Sequence, residues 1–119
     1  MSIFNNIINQ YNKSSLFTYD SEVQRNYTNL EELYNNNGVE AVYTVEALFI
    51  NEKSKFGHAP VIVSGGYLVN APSHLLDTVV AMRADSDFIS LVNERKVGFK
   101  IYSYTNQYGV RYSVEWVQI

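Results

Sequence analysis

The sequence predicts one mainly-β domain with helices: a five-stranded barrel over residues 39–119, a helix between its third and fourth strands, and a helical extension over residues 1–38. Three observations carry this reading. Strand-like runs, several with strict period-two alternation, fill the region after residue 40. One apolar stretch with helical spacing separates the third run from the fourth. The length, 119 residues, is that of a single domain, and folding at this size buries roughly two-thirds of the unfolded surface.

Taken in order, residues 3–11 set Ile3, Phe4, Ile7, Ile8 and Tyr11 on one helical face, with Ser2 as N-cap. Residues 15–20 fit a short strand. Thr28 and Glu31 have capping-box spacing, which predicts a helix over 29–36 stopped by Asn37-Gly38. From residue 40, Ala41, Tyr43, Val45, Ala47 and Phe49 alternate with Val42, Thr44, Glu46 and Leu48, giving one long first strand. Residues 51–57 are a polar loop, residues 60–64 a second strand, Gly65-Gly66 a hairpin turn and residues 67–70 the third strand. Pro72-Ser73 opens a helix with Leu75, Leu76, Val79, Val80 and Met82 on its apolar face. A break at 85–87 precedes further helix through Phe88, Ile89 and Val92. The fourth strand alternates Val97, Phe99 and Ile101 with Gly98, Lys100 and Tyr102. A loop at 106–109 leads to the fifth, where Val110, Tyr112, Val114 and Trp116 share a face.

Strand, strand, strand, helix, strand, strand is the order of the oligonucleotide-binding (OB) barrel. The competing arrangement is an open α+β sheet with the helix on one side. Either way, Val45, Ala47, Phe49, Leu76, Phe99, Ile101 and Val114 are expected in one core.

Composition narrows the function classes. The absence of cysteine excludes a disulfide framework, thiol catalysis and Cys-based zinc sites, and fits a reducing compartment. The first twelve residues lack the basic and apolar regions of a signal peptide, and no run of 18 apolar residues occurs, so a cytoplasmic location without membrane attachment is expected. Net charge is −3, with a pI near 5.3. A generally cationic nucleic-acid binder is thereby excluded, and any such site must be a local patch with aromatic help. Tyrosine, at 10 residues, supplies the aromatics, although it also favours strands.

Catalytic signals are thin, so neither enzymatic activity nor a cofactor is expected. His74 and Asp77 share a helical face without a third ligand, and the acidic pairs Glu31-Glu32 and Asp85/Asp87 suit helix starts. Binding signals are stronger. In an OB barrel, oligonucleotides cross the second and third strands, bordered by the loops after strands one and four. The first of these loops holds Lys53, Lys55 and Phe56, and the other holds Tyr108. Lys100, Tyr102 and Tyr104 share the outward face of the fourth strand, and Arg111 faces out on the fifth. Cations that grip phosphate beside rings that stack bases bind single strands without reading sequence.

Three segments carry a resemblance: Lys55-Phe56-Gly57, the run from Tyr67 through Asn70-Ala71-Pro72-Ser73-His74 to Val79, and the run from Val97 to Tyr104. They resemble small proteins of lactococcal and streptococcal phages, in particular the single-stranded DNA-binding protein of the lactococcal phage early region. The similarity covers about half the chain. It implies an OB fold, a homo-oligomer (dimer or tetramer), and a role in phage DNA replication or recombination alongside the proteins of those processes. The sequence departs from bacterial proteins of this activity in ending within the predicted fifth strand, without their acidic tail. The alternative reading is an interaction protein that binds a host or phage protein through its N-terminal helix or a sheet edge.

Overall fold

The computed structural model describes residues 16–51 and 59–119. The architecture is mixed α/β, with seven strands in two open sheets and three helices. In chain order these are β1 (Asn26–Asn29), α1 (Leu30–Asn37), β2 (Tyr43–Thr44), β3 (Ala47–Asn51), β4 (Ala59–Ser64) and β5 (Tyr67–Asn70). A 3₁₀ turn (Ser73–Leu75) follows, then α2 (Leu76–Arg83), α3 (Ser86–Asn93), β6 (Val97–Asn106) and β7 (Gly109–Gln118). One sheet has the order β1-β5-β4-β3 and the other β2-β6-β7.

The expected first strand is interrupted. Alternation continues through Val45 and Glu46, but their amides serve different sheets: Val45 N–H donates to Val97 O (2.9 Å) and Glu46 N–H to Val63 O (2.8 Å). The chain therefore passes from one sheet to the other at this point, as β2 and β3 rather than as one strand. Counting β2 and β3 together, the remainder keeps the expected order of three strands, helix and two strands.

The closed five-stranded barrel does not form among the described residues. Closing it would require the free edges of β5 and β7 to meet. That edge of β5 is taken by β1, which pairs with it in parallel from Asn26↔Tyr67 to Asn29↔Asn70. Behind β1, α1 packs against β6 and β7, with Leu30 and Leu33 buried and Tyr34 5.5 Å from the Tyr112 ring. The part of the extension between residues 26 and 37 is thus a structural member of the fold. The expected helix over 3–11 lies outside the described residues.

Local chemistry explains the elements. Asn29 caps α1, its side chain accepting from Glu32 N–H at 2.9 Å. This is one residue later than the Thr28–Glu31 spacing implied, because Thr28 is buried and its hydroxyl donates to the Glu32 carboxylate at 2.7 Å. Gly38, at φ 84°, stops the helix and donates to Tyr34 O. Residues 16–20 are not a strand. Phe17 is buried edge-on to Phe49, and Thr18 N–H donates to the Asn93 side chain. Side-chain anchoring replaces a ladder there. The helical region between β5 and β6 is split by Asp85, whose carboxylate caps α3 through Asp87 and Phe88 N–H.

The core contains Val45, Ala47, Phe99, Ile101 and Val114 as expected, with Phe49 packed against it half-buried. Leu76 is only half-buried, and Leu75 and Val79 take its place. The 3₁₀ turn, with three residues per turn instead of 3.6, shifts the phase of the apolar stripe by the time α2 begins. Val80 is correspondingly exposed.

Two changes test this packing. Leu33→Ala, at a side chain 2% exposed, should cost about 2–5 kcal/mol in denaturant unfolding because it empties the wedge between the sheets. A Cβ at Gly98 would lie 3.0 Å from Tyr43 O and 3.1 Å from the Val42 Cγ1 and Ile119 Cγ2 methyls. Gly98→Ala should therefore cost about 1–3 kcal/mol, read from the shift of the same midpoint. A midpoint equal to wild type in either variant contradicts the packing described.

Candidate nucleic-acid interface

β6 and β7 pair over ten residues each, from Val97↔Gln118 to Asn106↔Gly109, but β2 covers β6 only at Gly98 and Phe99. Their lower halves are core. Their upper halves lose apolar alternation to Ser103, Thr105 and Asn106, and every residue from Tyr102 to Arg111 is exposed. The result is a two-stranded arm. From Tyr102 to Asn106 it extends about 14 Å at the usual rise of a strand. Asn106 Oδ1 accepts from Tyr108 N–H at 2.8 Å, and Gly109 adopts φ 105°, so the tip is a tight turn built on residues suited to it.

Register sorts the arm's side chains. Residues directly opposite in an antiparallel pair share a face. Lys100, Tyr102 and Tyr104 lie along one face of β6, with Glu115, Ser113 and Arg111 opposite them on β7. The Tyr102 and Tyr104 ring centres are 6.1 Å apart, tilted by 42°. The Arg111 guanidinium carbon lies 5.9 Å from the centre of the Tyr108 ring, which is 72% exposed at the tip. The structure thus brings four of the expected residues, Tyr102, Tyr104, Tyr108 and Arg111, onto one arm, with Lys100 on the same face of β6 just below it. The other three, Lys53, Lys55 and Phe56, lie outside the described residues. Val110, expected on the apolar face, is 58% exposed because β7 extends beyond α1 there.

The distribution of cations sharpens this. Of nine Lys and Arg residues, six are described. Arg25 and Arg95 lie 4.0 Å from the Glu46 carboxylate, Lys96 pairs with Glu94, and Arg83 donates to Leu48 O on the outer edge of β3. Arg83 also lies over Phe49, and Arg25 over Tyr19. Among the described residues, the two cations outside these ion pairs and carbonyl contacts are Arg111, on the arm, and Lys100, on the same face just below it. Lys100 still faces Glu115 across the strands.

Sequence reasoning missed a second feature. Because the sheets do not close, a cavity of about 310 Å³ remains between the upper edge of β7, the start of α1 and the end of β5. Asn29, Asn70, His74, Tyr104, Arg111 and Tyr112 line it, with the apolar Leu30, Ala71, Pro72 and Val110 and the acidic Glu31 between them. His74, read from sequence as a helix-start residue, belongs to the 3₁₀ turn, and its Nε2 lies 3.0 Å from the Ser113 hydroxyl, a contact that ties the turn to β7. Ser113 is buried there, although alternation placed it outward. Only the unclosed seam brings these residues together, so no local sequence signal marks them. No family model matches the chain, and no curated protein or solved structure does so either.

Exposure predicts which tyrosines are dispensable for stability. Tyr104→Ala and Tyr108→Ala should unfold within about 0.5 kcal/mol of wild type, whereas Phe99→Ala, at a fully buried ring, should cost about 3–5 kcal/mol. Thermal or denaturant melts of the three variants check this. A large loss at Tyr104 would mean that its ring is structural.

Proposed function

We propose that the protein is a sequence-tolerant single-stranded DNA-binding protein that holds its strand along the tyrosine face of the β6–β7 arm. One observation carries the reading: the two described cations without an ion pair or carbonyl contact, Lys100 and Arg111, share one face of the β6–β7 hairpin with Tyr102 and Tyr104, and Arg111 lies beside the Tyr108 ring at the tip. Stacking is indifferent to base identity, and a guanidinium or ammonium beside it engages phosphate. A net charge of −3 then acts as a filter, since strands are attracted only where the cations cluster.

The same reading takes the two sheets as an opened form of the OB barrel, with β1 holding the edge that closure would use. It also takes Lys53, Lys55 and Phe56, which lie outside the described residues, as a second phosphate-and-base contact. The resemblance to phage single-stranded DNA-binding proteins supports a role in DNA replication or recombination, and assembly as a homo-oligomer. A second reading, docking of a protein partner, is favoured by one observation: Val110 is exposed on the outer strand β7, where an added strand would find backbone partners.

A salt series with fluorescent oligo-dT, against duplex of equal length, separates the two. Single strands should bind more tightly, with a log-log salt slope between about −1.4 for Lys100 and Arg111 and about −2.8 if Lys53 and Lys55 also reach phosphate. Tyr102→Ala should weaken binding by about 1–3 kcal/mol without moving the melting temperature. Binding no better than that of an unrelated acidic protein of this size would sink the nucleic-acid reading and leave the partner-docking one.

A further inference from the structure

We propose that the cavity at the seam between the two sheets takes one adenine base of the bound strand, an inference that rests on the single-strand reading of the arm. Two side chains connect the sites. Tyr104 and Arg111 stand opposite each other on the arm's binding face and also form the cavity wall, so a strand stacked along Tyr102 and Tyr104 arrives at the cavity mouth.

The volume, about 310 Å³, lies at the lower end of small-molecule sites. It suits a single base or nucleotide rather than a longer segment. The lining fits that occupant. Tyr104 provides a stacking face at the rim. Asn70, at the exposed end of β5, is a side-chain amide, which offers a donor and an acceptor together and matches the N6/N7 edge of adenine. Asn29 uses its side-chain oxygen to cap α1, which leaves its amide hydrogens for a ligand acceptor. Arg111 supplies the charge for the attached phosphate, and the His74–Ser113 contact fixes the floor. The arm alone has no means of telling bases apart, since stacking rings accept any of them. The cavity adds a preference at one position.

Two measurements test this. Oligo-dT carrying one central deoxyadenosine is compared with plain oligo-dT, for wild type and for Asn70→Ala. Wild type should prefer the adenine-containing strand at least about fivefold, the effect of one good bidentate contact. Asn70→Ala should abolish that preference while binding plain oligo-dT within about twofold of wild type. Separately, adenosine 5′-monophosphate is titrated into isotope-labelled protein, and the side-chain amide signals of Asn29 and Asn70 should move. If wild type binds oligo-dT but shows no adenine preference, the cavity assignment is overturned and the strand reading survives. If no strand binds but the monophosphate shifts Asn70, the strand reading fails and the proposal falls with it, leaving a site for the free nucleotide. Silence in both experiments overturns both.

Discussion

Two consecutive peptide groups hold the molecule together. At Val45 and Glu46 the chain donates one hydrogen bond to β6 and the next to β4, so a single stretch of backbone is shared by both sheets. Val45 is fully buried at this junction, where each unpaired amide would cost the desolvation of a polar group. The Glu46 side chain extends the junction outward. Its carboxylate accepts from Gly65 N–H in the β4–β5 turn and lies 4.0 Å from both Arg25 and Arg95. Arg25 leads into β1, and Arg95 sits in the turn between α3 and β6. The carboxylate thus faces three chain segments that approach from different directions. Arg25 is further fixed by donating to Gly65 O (2.8 Å) and Asp20 O (2.7 Å). Its charge is therefore committed to the frame.

The placement of β1 follows from that corner. Asn26 N–H donates to Gly66 O, so β1 begins beside the same turn and runs parallel to β5. Once β1 occupies that edge, β7 has no strand to close against, and α1 fills the space with Leu30 and Leu33. The open seam, the cavity and the bare upper half of the β6–β7 hairpin are consequences of one edge being taken. An isolated two-stranded hairpin is marginal in water. This one is held by its lower half, where Phe99 stacks on Tyr43 at 5.2 Å and meets Trp116 at 6.1 Å.

Period-two alternation made the hairpin legible in the sequence. It placed Lys100, Tyr102 and Tyr104 on one face correctly, because a strand fixes side-chain direction whatever lies around it. The same rule misjudged the first strand, since Val45 and Glu46 keep the alternation while the backbone changes sheets. Asn26-Tyr27-Thr28-Asn29 carries no strand signature. Its pairing with residues 67–70 is a contact across some forty positions, set by an edge elsewhere in the fold and not by propensity. The cavity was illegible for the same reason: Asn29, Asn70 and His74 are ordinary cap, strand-end and turn residues until the unclosed seam brings them together.

On the proposed single-strand reading, an acidic protein needs an attraction that outlasts salt, and the magnitudes indicate which one the arm would supply. Two phosphate contacts are modest: a fourfold rise in salt removes about sevenfold in affinity, little more than 1 kcal/mol. Each base stacked on a tyrosine is worth about 1–3 kcal/mol, and that part of the attraction is the part that salt leaves in place. Even the upper sum, about 9 kcal/mol, is near the free energy of a micromolar complex before ordering costs are subtracted. On that reading a single arm would give weak, exchangeable binding. Tight coverage of a strand would require several copies of the chain on it at once, or contacts from Lys53 and Lys55 as well. On the proposed reading the arrangement favours many contacts that are individually labile.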